Sequence, residues 1–553
     1  MSPSILNALT GFVPQLLPEI LLSLAACVLF LGATFQVNRH TWGFVALAAL
    51  ACAGVLLWHT SNTIPTLDDL RAASASLTPE QIQAIDAQLY NAPVVFTRLA
   101  LFFKGLGLLT GVLLVLLGWD EGGDEHAGEY HACLLLLVAG VGLVGAANDL
   151  MTLFLALELI SLPTYVLLYL PRADERSQEA TMKYFLLSIF SSGLLLFGFS
   201  YLYGLAGTTN IPAMLDALAT GQDAAASRLP WLGVSLLAVV LVVAGLGFRI
   251  TAVPFHFYAP DVYQGTTTPA AALLAFVPKI VGFAALLRVL GYAPGLSAFD
   301  RPAASAMGEQ VPMLLWIMAA VTMSLGNVLA LLQDNIRRMI AYSSVAHAGY
   351  MLIGLAVVRY LSNGPGDAVG GVEALLFYLV AYGAMTVGFF AALHYLDSAE
   401  RPIETVDDLA GLGKSHPGSA LLLTLFLFSL IGMPLTAGFA GKFLLFFDAL
   451  GLPHQAGDQA RLYRILALIA ALNAAVGAWY YLRMVGVMYL REAIDPLPRP
   501  KAAPVVGTVA LCAALTLGLG VYPEALLRLI RRAVPQRVGV VQAAQADRAV
   551  ARE

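Results

Sequence analysis

Four charged side chains stand inside runs that are otherwise apolar. Glu158 lies in DLMTLFLALELISLPTYVLLYL, the only acid between Asp149 and the following loop. Arg249 and Lys279 flank the break in LGFRITAVPFHFYAPDVYQGTTTPAAALLAFVPK, and Lys442 sits in SLIGMPLTAGFAGKFLLF. A charge at bilayer depth costs about 2.5–3.5 kcal/mol on insertion scales, so each of these positions needs a function or a partner. Removal from water penalises the charged form of an amine, which suits Lys279 and Lys442 to loading and releasing protons. Lys279 stands about ten residues from either end of its span and Lys442 eight or more, too deep to snorkel to the headgroups. A guanidinium stays charged at any relevant pH. Arg249 therefore reads as a fixed counter-charge for Glu158, whose protonation responds to the nearness of a cation.

Other groups are less exclusive. Lys183 enters its span near a loop with Glu179 one turn earlier, and an i,i+4 surface pair is the alternative to a functional cation. His256, on the broken segment, titrates in the neutral range and reads as part of a hydrated path. His347, in YSSVAHAGYML, fits a hydrogen-bonded core histidine equally well. Asp261 and Tyr263 are candidates to cap backbone groups freed by the break.

The elements that position these residues follow from composition. Charged residues make up 12% of the 553, half or less of the share usual in soluble domains, and the mean hydropathy is +0.78. The chain reads as all-α, a single polytopic membrane domain over 1–553, built from apolar runs long enough to cross a bilayer as helices. About fourteen spans are expected. They lie near Leu16–Phe35, Trp42–His59, Val95–Leu117, His131–Ala147, Leu150–Leu170, Thr181–Leu205 and Trp231–Tyr258. The rest lie near Pro269–Leu290, Pro312–Leu332, Arg338–Val358, Val372–Leu396, Ser419–Leu450, Tyr463–Leu490 and Pro504–Tyr522. The first span follows an uncharged head with no cleavage site and reads as retained. Thr78-Pro79-Glu80-Gln81 reads as a capping box opening a surface helix. Asp120, Glu121, Asp124, Glu125 and Glu129 read as a loop closing the third span, and the arginines after Pro523 as a surface extension.

Spans seven and twelve are broken by Pro254 and Pro434, because proline removes a backbone donor and clashes with the preceding turn. Lipid cannot satisfy the freed groups, so both breaks must be wrapped in protein or line a wet cavity. Each broken span is fourth in a run of five, 131–290 and 312–490. Five is odd, so the two units enter the membrane in opposite senses, the pattern of an inverted repeat with ion sites at its midplane. With both termini outside, Arg39, Arg337, Arg338, Lys414 and Arg491 are among the basic residues that fall in cytoplasmic loops, though the tail arginines do not. Cys27, Cys52, Cys133 and Cys512 have no CxxC spacing, so zinc, iron–sulfur and disulfide frameworks are unsupported. No phosphate-cradling glycine loop is present. Neither a nucleotide nor a nucleic-acid partner is expected.

Taken together, LFLALELISLPTYVL, EATMKYFLLSIFSSGLLLFGFSYLYGLAGTTN, GFRITAVPFHFYAPDVYQGTTTP, RRMIAYSSVAHAGYMLIG and SLIGMPLTAGFAGKFLLF resemble the antiporter-like membrane subunits of complex I. This is the proton-pumping NADH:quinone oxidoreductase, and the type resembled is its subunit N. The PDVYQG turn separates that type from sister subunits and antiporter chains, which tend to carry PDA there. The resemblance implies a hydrophilic midplane axis of a fifth-span glutamate and lysines in spans seven, eight and twelve. Glu158, Lys279 and Lys442 match it, Lys183 matches a sixth-span lysine, and the seventh-span lysine of a GFK context is here Arg249. It further implies a multi-pass protein of the bacterial inner membrane, held among lipid and the other membrane and peripheral subunits of complex I. No cofactor or metal is expected in this chain; FMN, iron–sulfur clusters and quinone are expected in partner subunits. The alternative is a cation/proton antiporter subunit, either stand-alone or of the Mrp or hydrogenase type.

Overall fold

The computed structural model describes residues 13–35, 38–72, 92–171, 174–225, 229–292, 310–361, 370–397, 402–451, 458–492 and 503–534. The capping box expected at Thr78 lies outside them. Among them, twelve helices are long and apolar enough to cross a membrane, and two shorter apolar helices stand at the expected breaks.

The first six crossing helices are α1 (Leu17–Gly32), α2 (Arg39–Thr63), α3 (Arg98–Leu117), α4 (Gly123–Ala146), α5 (Leu150–Tyr169) and α6 (Glu175–Ala206). The starts of α2, α3, α5 and α6 are set by polar caps. Asp149 accepts hydrogen bonds from the Met151 and Thr152 N–H groups, and Asp174 accepts one from Ser177. Helix α4 begins earlier than expected. Gly122 and Gly123 take positive φ and make the turn, so Asp124, Glu125 and Glu129 fall in the first two turns of α4 and not in a loop. Acids in a first turn are favoured by the helix dipole, which hydropathy alone does not register. Near the other end of α4, where Glu19 packs on Gly142, Lys104 and Glu19 form a buried pair at 3.0 Å joining α3 to α1.

The seventh crossing is interrupted. Helix α7a (Leu229–Arg249) ends five residues before Pro254, and α7b (Ala259–Gly265) resumes after an irregular turn. The break expected at Pro254 within the Trp231–Tyr258 span is present and begins ahead of that proline. A proline restricts the residues ahead of it as well as itself, so the helix stops early. Next come α8 (Thr268–Val289), α9 (Gln310–Leu331), α10 (Ile336–Leu361) and α11 (Gly371–Leu396). Every residue of α8 is buried, and α10 and α11 are nearly so; these three form the middle of the molecule. Helix α12a (Pro417–Ile431) breaks at Gly432, and α12b (Ala437–Leu450) follows a short turn. The chain continues through α13 (Asp458–Leu490) and α14 (Ala503–Val521) to α15 (Glu524–Ala533). The arginine-rich tail therefore opens as an amphipathic helix, with Leu527, Ile530 and Ala533 buried.

Both breaks carry a non-glycine residue at positive φ, Thr251 at 58° and Leu435 at 69°. Such residues cost about 1–3 kcal/mol each and persist only where packing over-determines them. At the second break this packing is visible. The Gly438 N–H donates to Ser429 Oγ at 3.1 Å, and a Cβ on Gly438 would overlap the Ser429 carbonyl oxygen. Overpacking against backbone costs about 1–3 kcal/mol or more. Gly438→Ala is therefore expected to lower the yield of folded chain from detergent-solubilised membranes several-fold. Gly486→Ala, at a site open to a Cβ, is expected to leave that yield unchanged.

Candidate functional site

The charged residues are arranged by the two breaks. Arg249 ends α7a and is 4% exposed; its guanidinium donates to Glu158 Oε1 at 3.3 Å. The same oxygen accepts from Ser192 Oγ on α6 at 2.6 Å. Glu158 is less enclosed than its partner, with 24% of its side chain exposed on the flank of the bundle.

Two residues after Arg249, the positive-φ turn aims Thr251 inward. Lys279 Nζ, fully buried at the middle of α8, donates to Thr251 Oγ1 at 3.2 Å and to Ser344 Oγ on α10. It also lies 5.4 Å from the centre of the Tyr382 ring, whose hydroxyl donates to Ser344 Oγ at 2.9 Å. Lys442 stands at the other break. Its Nζ donates to the carbonyl oxygens of Leu430 at 2.7 Å and Ile431 at 3.0 Å, and lies 5.1 Å from the Tyr350 ring centre. Among the described residues no carboxylate lies within ion-pair distance of either lysine.

Between the two lysines stands His347, which the sequence left equally open to a core role. Its Nδ1 is 2.6 Å from the Tyr378 hydroxyl and its Nε2 is 3.1 Å from that of Tyr481, which is in turn bonded to Ser343. Its ring packs on Tyr382 at 5.2 Å and on Tyr350 at 5.7 Å between centroids. Tyr382 thus touches both Lys279 and His347, and Tyr350 touches both His347 and Lys442. Beyond them, Asn327 ties Tyr350, Tyr480 and Asn473 together. The signal for this row was available in the sequence. Ser343, His347 and Tyr350 recur at helical spacing in a span that is otherwise apolar.

Two of the expected site residues lie elsewhere. Lys183 is at one end of the bundle, 40% exposed, 2.6 Å from Glu179 and 2.9 Å from Asp261. Asp261 also binds Arg338 at 2.6 Å, so it clamps α7b to α6 and α10 and does not cap freed backbone groups. Burial pushes the Asp261 carboxyl up, but hydrogen bonds from Lys183 and Arg338 outweigh it and hold the group below the usual carboxylate range. The cluster lines a cavity of about 250 Å3 with Arg176 and Gln264. His256 is half-buried in the turn between α7a and α7b, and no hydrogen bond joins it to Glu158, Arg249 or Lys279 among the described residues.

Such an arrangement places two buried, proton-bearing amines on a row of hydroxyls and one imidazole, with an ion pair at one end. The family described as NADH:quinone oxidoreductase/Mrp antiporter, TM, matches residues 147–456, which takes in Glu158, both breaks and Lys442. The chain is 41% identical over 448 residues to NADH-quinone oxidoreductase subunit N of Trichlorobacter lovleyi, covering 80% of this chain and 85% of that one. It is 35% identical over 524 residues to NADH-quinone oxidoreductase subunit N 2 of Rhizobium meliloti, covering 93% and 96%. Among solved structures, a chain of respiratory complex I from Thermus thermophilus with bound aureothin superposes with a TM-score of 0.69 at 27% identity, over 92% of this chain and 98% of that one. A chain of the Mrp complex from Dietzia shares the fold alone, at 20% identity, a TM-score of 0.72 and coverage of 93% and 97%. The chain belongs to the subunit N family of NADH-quinone oxidoreductase, the antiporter-like proton-translocating membrane subunits of complex I, and is a multi-pass protein of the bacterial plasma membrane.

Proposed function

We propose that protons move through this subunit along the row Lys279–His347–Lys442, and that the Glu158–Arg249 pair couples this movement to quinone reduction in partner subunits. The observation that carries the reading is the hydrogen-bond count at the two lysines. Lys279 donates to two hydroxyls and Lys442 to two carbonyls. An ammonium has three N–H groups and a neutral amine has two. Each lysine can therefore lose one proton and keep both of its anchoring hydrogen bonds. Discharge changes the charge without unfastening the side chain.

In this mechanism Arg249 does not carry a proton. Its approach to Glu158 or release from it changes the field felt at Lys279. When the pair separates, Arg249 is free to disfavour a second cation at Lys279, which Thr251 holds two residues beyond Arg249, and the Lys279 proton passes to the hydroxyl–imidazole row. His347 lies within electrostatic reach of both lysines and hands the proton toward Lys442. Lys183 and His256 are assigned to the entry side, with the Lys183–Asp261–Arg338 cluster and its cavity at the cytoplasmic mouth. Fourteen crossings, with α7 and α12 counted as broken helices, form two inverted five-helix units over 131–290 and 312–490. The paired positive-φ residues at equivalent breaks support that symmetry. Both termini face outward. FMN, iron–sulfur clusters and the quinone site belong to the other membrane and peripheral subunits of the complex, which surround this chain together with lipid. Electron transfer is theirs; this chain supplies the proton path.

Two experiments test this reading in the intact complex. The first concerns the ion pair. Arg249→Lys keeps the cation and is expected to pump near the wild-type rate. Arg249→Ala leaves Glu158 unpaired, as Glu158→Gln removes the partner from the other side. Breaking a buried pair costs about 3–5 kcal/mol, with the partial exposure of Glu158 placing this one at the lower end. Equal pumping in the lysine and alanine variants would show the cation to be dispensable. The second concerns the carriers. Lys279→Arg and Lys442→Arg keep the charge but cannot discharge. Positioned proton-transfer groups contribute about 10²–10⁴-fold, so vesicle acidification per assembled complex is expected to fall about tenfold or more in each. Wild-type transport in both would reduce the lysines to a static field.

A further inference from the structure

One buried acid has no place in the row described above. Asp448, on the last turns of α12b, is 3% exposed, and its Oδ2 has no hydrogen-bond partner. Among the described residues no cation lies within ion-pair distance of it. An unpaired carboxyl in the wall of a membrane protein is costly, and nothing in the packing around it requires one. Its position is informative. Asp448 is two steps along the i, i+3 ridge that starts at Lys442 and runs through Leu445. At 1.5 Å per residue it stands about 9 Å farther along the helix, toward the end where α12b leaves the core.

A second carboxyl meets it there. Leu445 packs beside Gly354, and Gly354 in turn touches Gly371 and Leu375, the residues two before and two after Glu373. The last turns of α12b therefore lie against the first turn of α11, and Asp448 and Glu373 are close enough to feel each other's charge. Glu373 is itself 3% exposed. One of its oxygens, Oε2, accepts the Gly370 N–H at 3.1 Å at the helix start. The other carries no hydrogen bond among the described residues. Helix α15 packs on α11 and brings Arg531 within electrostatic reach of Glu373, while Arg531 also pairs with Glu524 at 3.6 Å. The sequence of groups is then an amine in the core, a buried unpartnered carboxyl, a carboxyl at a helix start, and a surface arginine. It leads from Lys442 to the end of the bundle opposite the Lys183–Asp261 cluster.

We propose that Asp448 and Glu373 are the proton-release residues of this subunit, carrying the proton from Lys442 to the outer face. The inference rests on the reading of Lys442 as a carrier. The step is a proton transfer only. The Lys442 ammonium gives a proton through water to the Asp448 carboxylate, leaving a neutral amine and a carboxylic acid. Asp448 passes the proton to Glu373, and Glu373 releases it to outer water, restoring both carboxylates. Arg531 is a positioning residue, favouring the ionised Glu373 once the proton has left.

The test uses the whole complex in membrane vesicles and reads protons moved per NADH oxidised, normalised to assembled complex. Asp448→Asn keeps the volume and can still hydrogen-bond but cannot take up or release a proton. It is expected to lower the ratio as far as Lys442→Ala does, and Asp448→Glu to restore most of it. Glu373→Gln retains the cap acceptor and is expected to act in the same direction. A structural role would not alter the redox-triggered infrared difference spectrum, whereas on this proposal a carboxylic-acid C=O band is expected to change in wild type and to be lost in Asp448→Asn. Should Asp448→Asn fail to assemble, Glu373→Gln and the wild-type infrared band carry the test. Wild-type ratios in Asp448→Asn or Glu373→Gln, with Lys442→Ala impaired, would overturn the release site and leave the axis standing. A wild-type ratio in Lys442→Ala would overturn the axis itself, and this proposal with it.

Discussion

A helix that stops inside a bilayer leaves carbonyl groups that lipid cannot satisfy, and the rest of this structure depends on how those groups are met. At the second break, Lys442 reaches back from α12b and donates to the carbonyls of Leu430 and Ile431, the last two residues of α12a. At the first, Arg249 is itself the last residue of α7a. In both places a cation sits at the negative end of a half-helix dipole, a placement worth about 0.3–1 kcal/mol at exposed sites and more when enclosed. The break therefore needs the cation, and the cation needs the break. Without either, the other would be an uncompensated polar group in an apolar interior.

The same constraint separates the two cations by chemistry. A lysine that anchors through two acceptors keeps both when it discharges, so Lys442 can cap α12a in either protonation state. An arginine caps as well but holds its charge. Its place is the position where a fixed charge is useful, next to a carboxylate. This accounts for a departure from the family pattern that would otherwise look damaging. At position 249 the side chain needs to be a cation that binds Glu158. The positions proposed to carry protons, 279 and 442, are lysine.

Much of this was legible in the sequence because the background is so apolar. Glu158, Arg249, Lys279 and Lys442 stand out in runs that carry few other charges, and Pro254 and Pro434 marked where the helices had to stop. The structure departs from the sequence reading where the signal is local and not hydropathic. The early end of α7a follows from the restraint proline places on residues ahead of it. The early start of α4 follows from two positive-φ glycines and the dipole preference of acids. The tyrosines around His347 were the largest omission. Ser343, His347 and Tyr350 share one face of α10, but Tyr378, Tyr382 and Tyr481 come from other helices, so the full row around the imidazole is complete only when α10, α11 and α13 are packed together. Lys183 shows the converse. Its charge was as conspicuous as the others, yet its i,i+4 partner Glu179 and its distant partner Asp261 place it at the rim.

The arrangement has a direction built into its burial. At one end, Glu158 lies partly open on the flank formed by α5 and α6, beside exposed apolar side chains such as Leu155, Leu162 and Ile189. In the middle, Lys279 has no exposed surface at all, and Lys442 is nearly as enclosed. A neighbouring subunit can therefore reach the ion pair but not the lysines, and any influence from outside must arrive as a change in the Glu158–Arg249 separation. Arg249 and Thr251 belong to the same strained turn, and Thr251 holds Lys279. A small movement of the guanidinium is thus mechanically tied to the hydroxyl that anchors the first amine, as well as electrostatically tied to its charge. Rigid helices on either side would transmit such a movement poorly. An irregular turn, already held away from its relaxed backbone geometry, is the element of this fold best able to take up two positions.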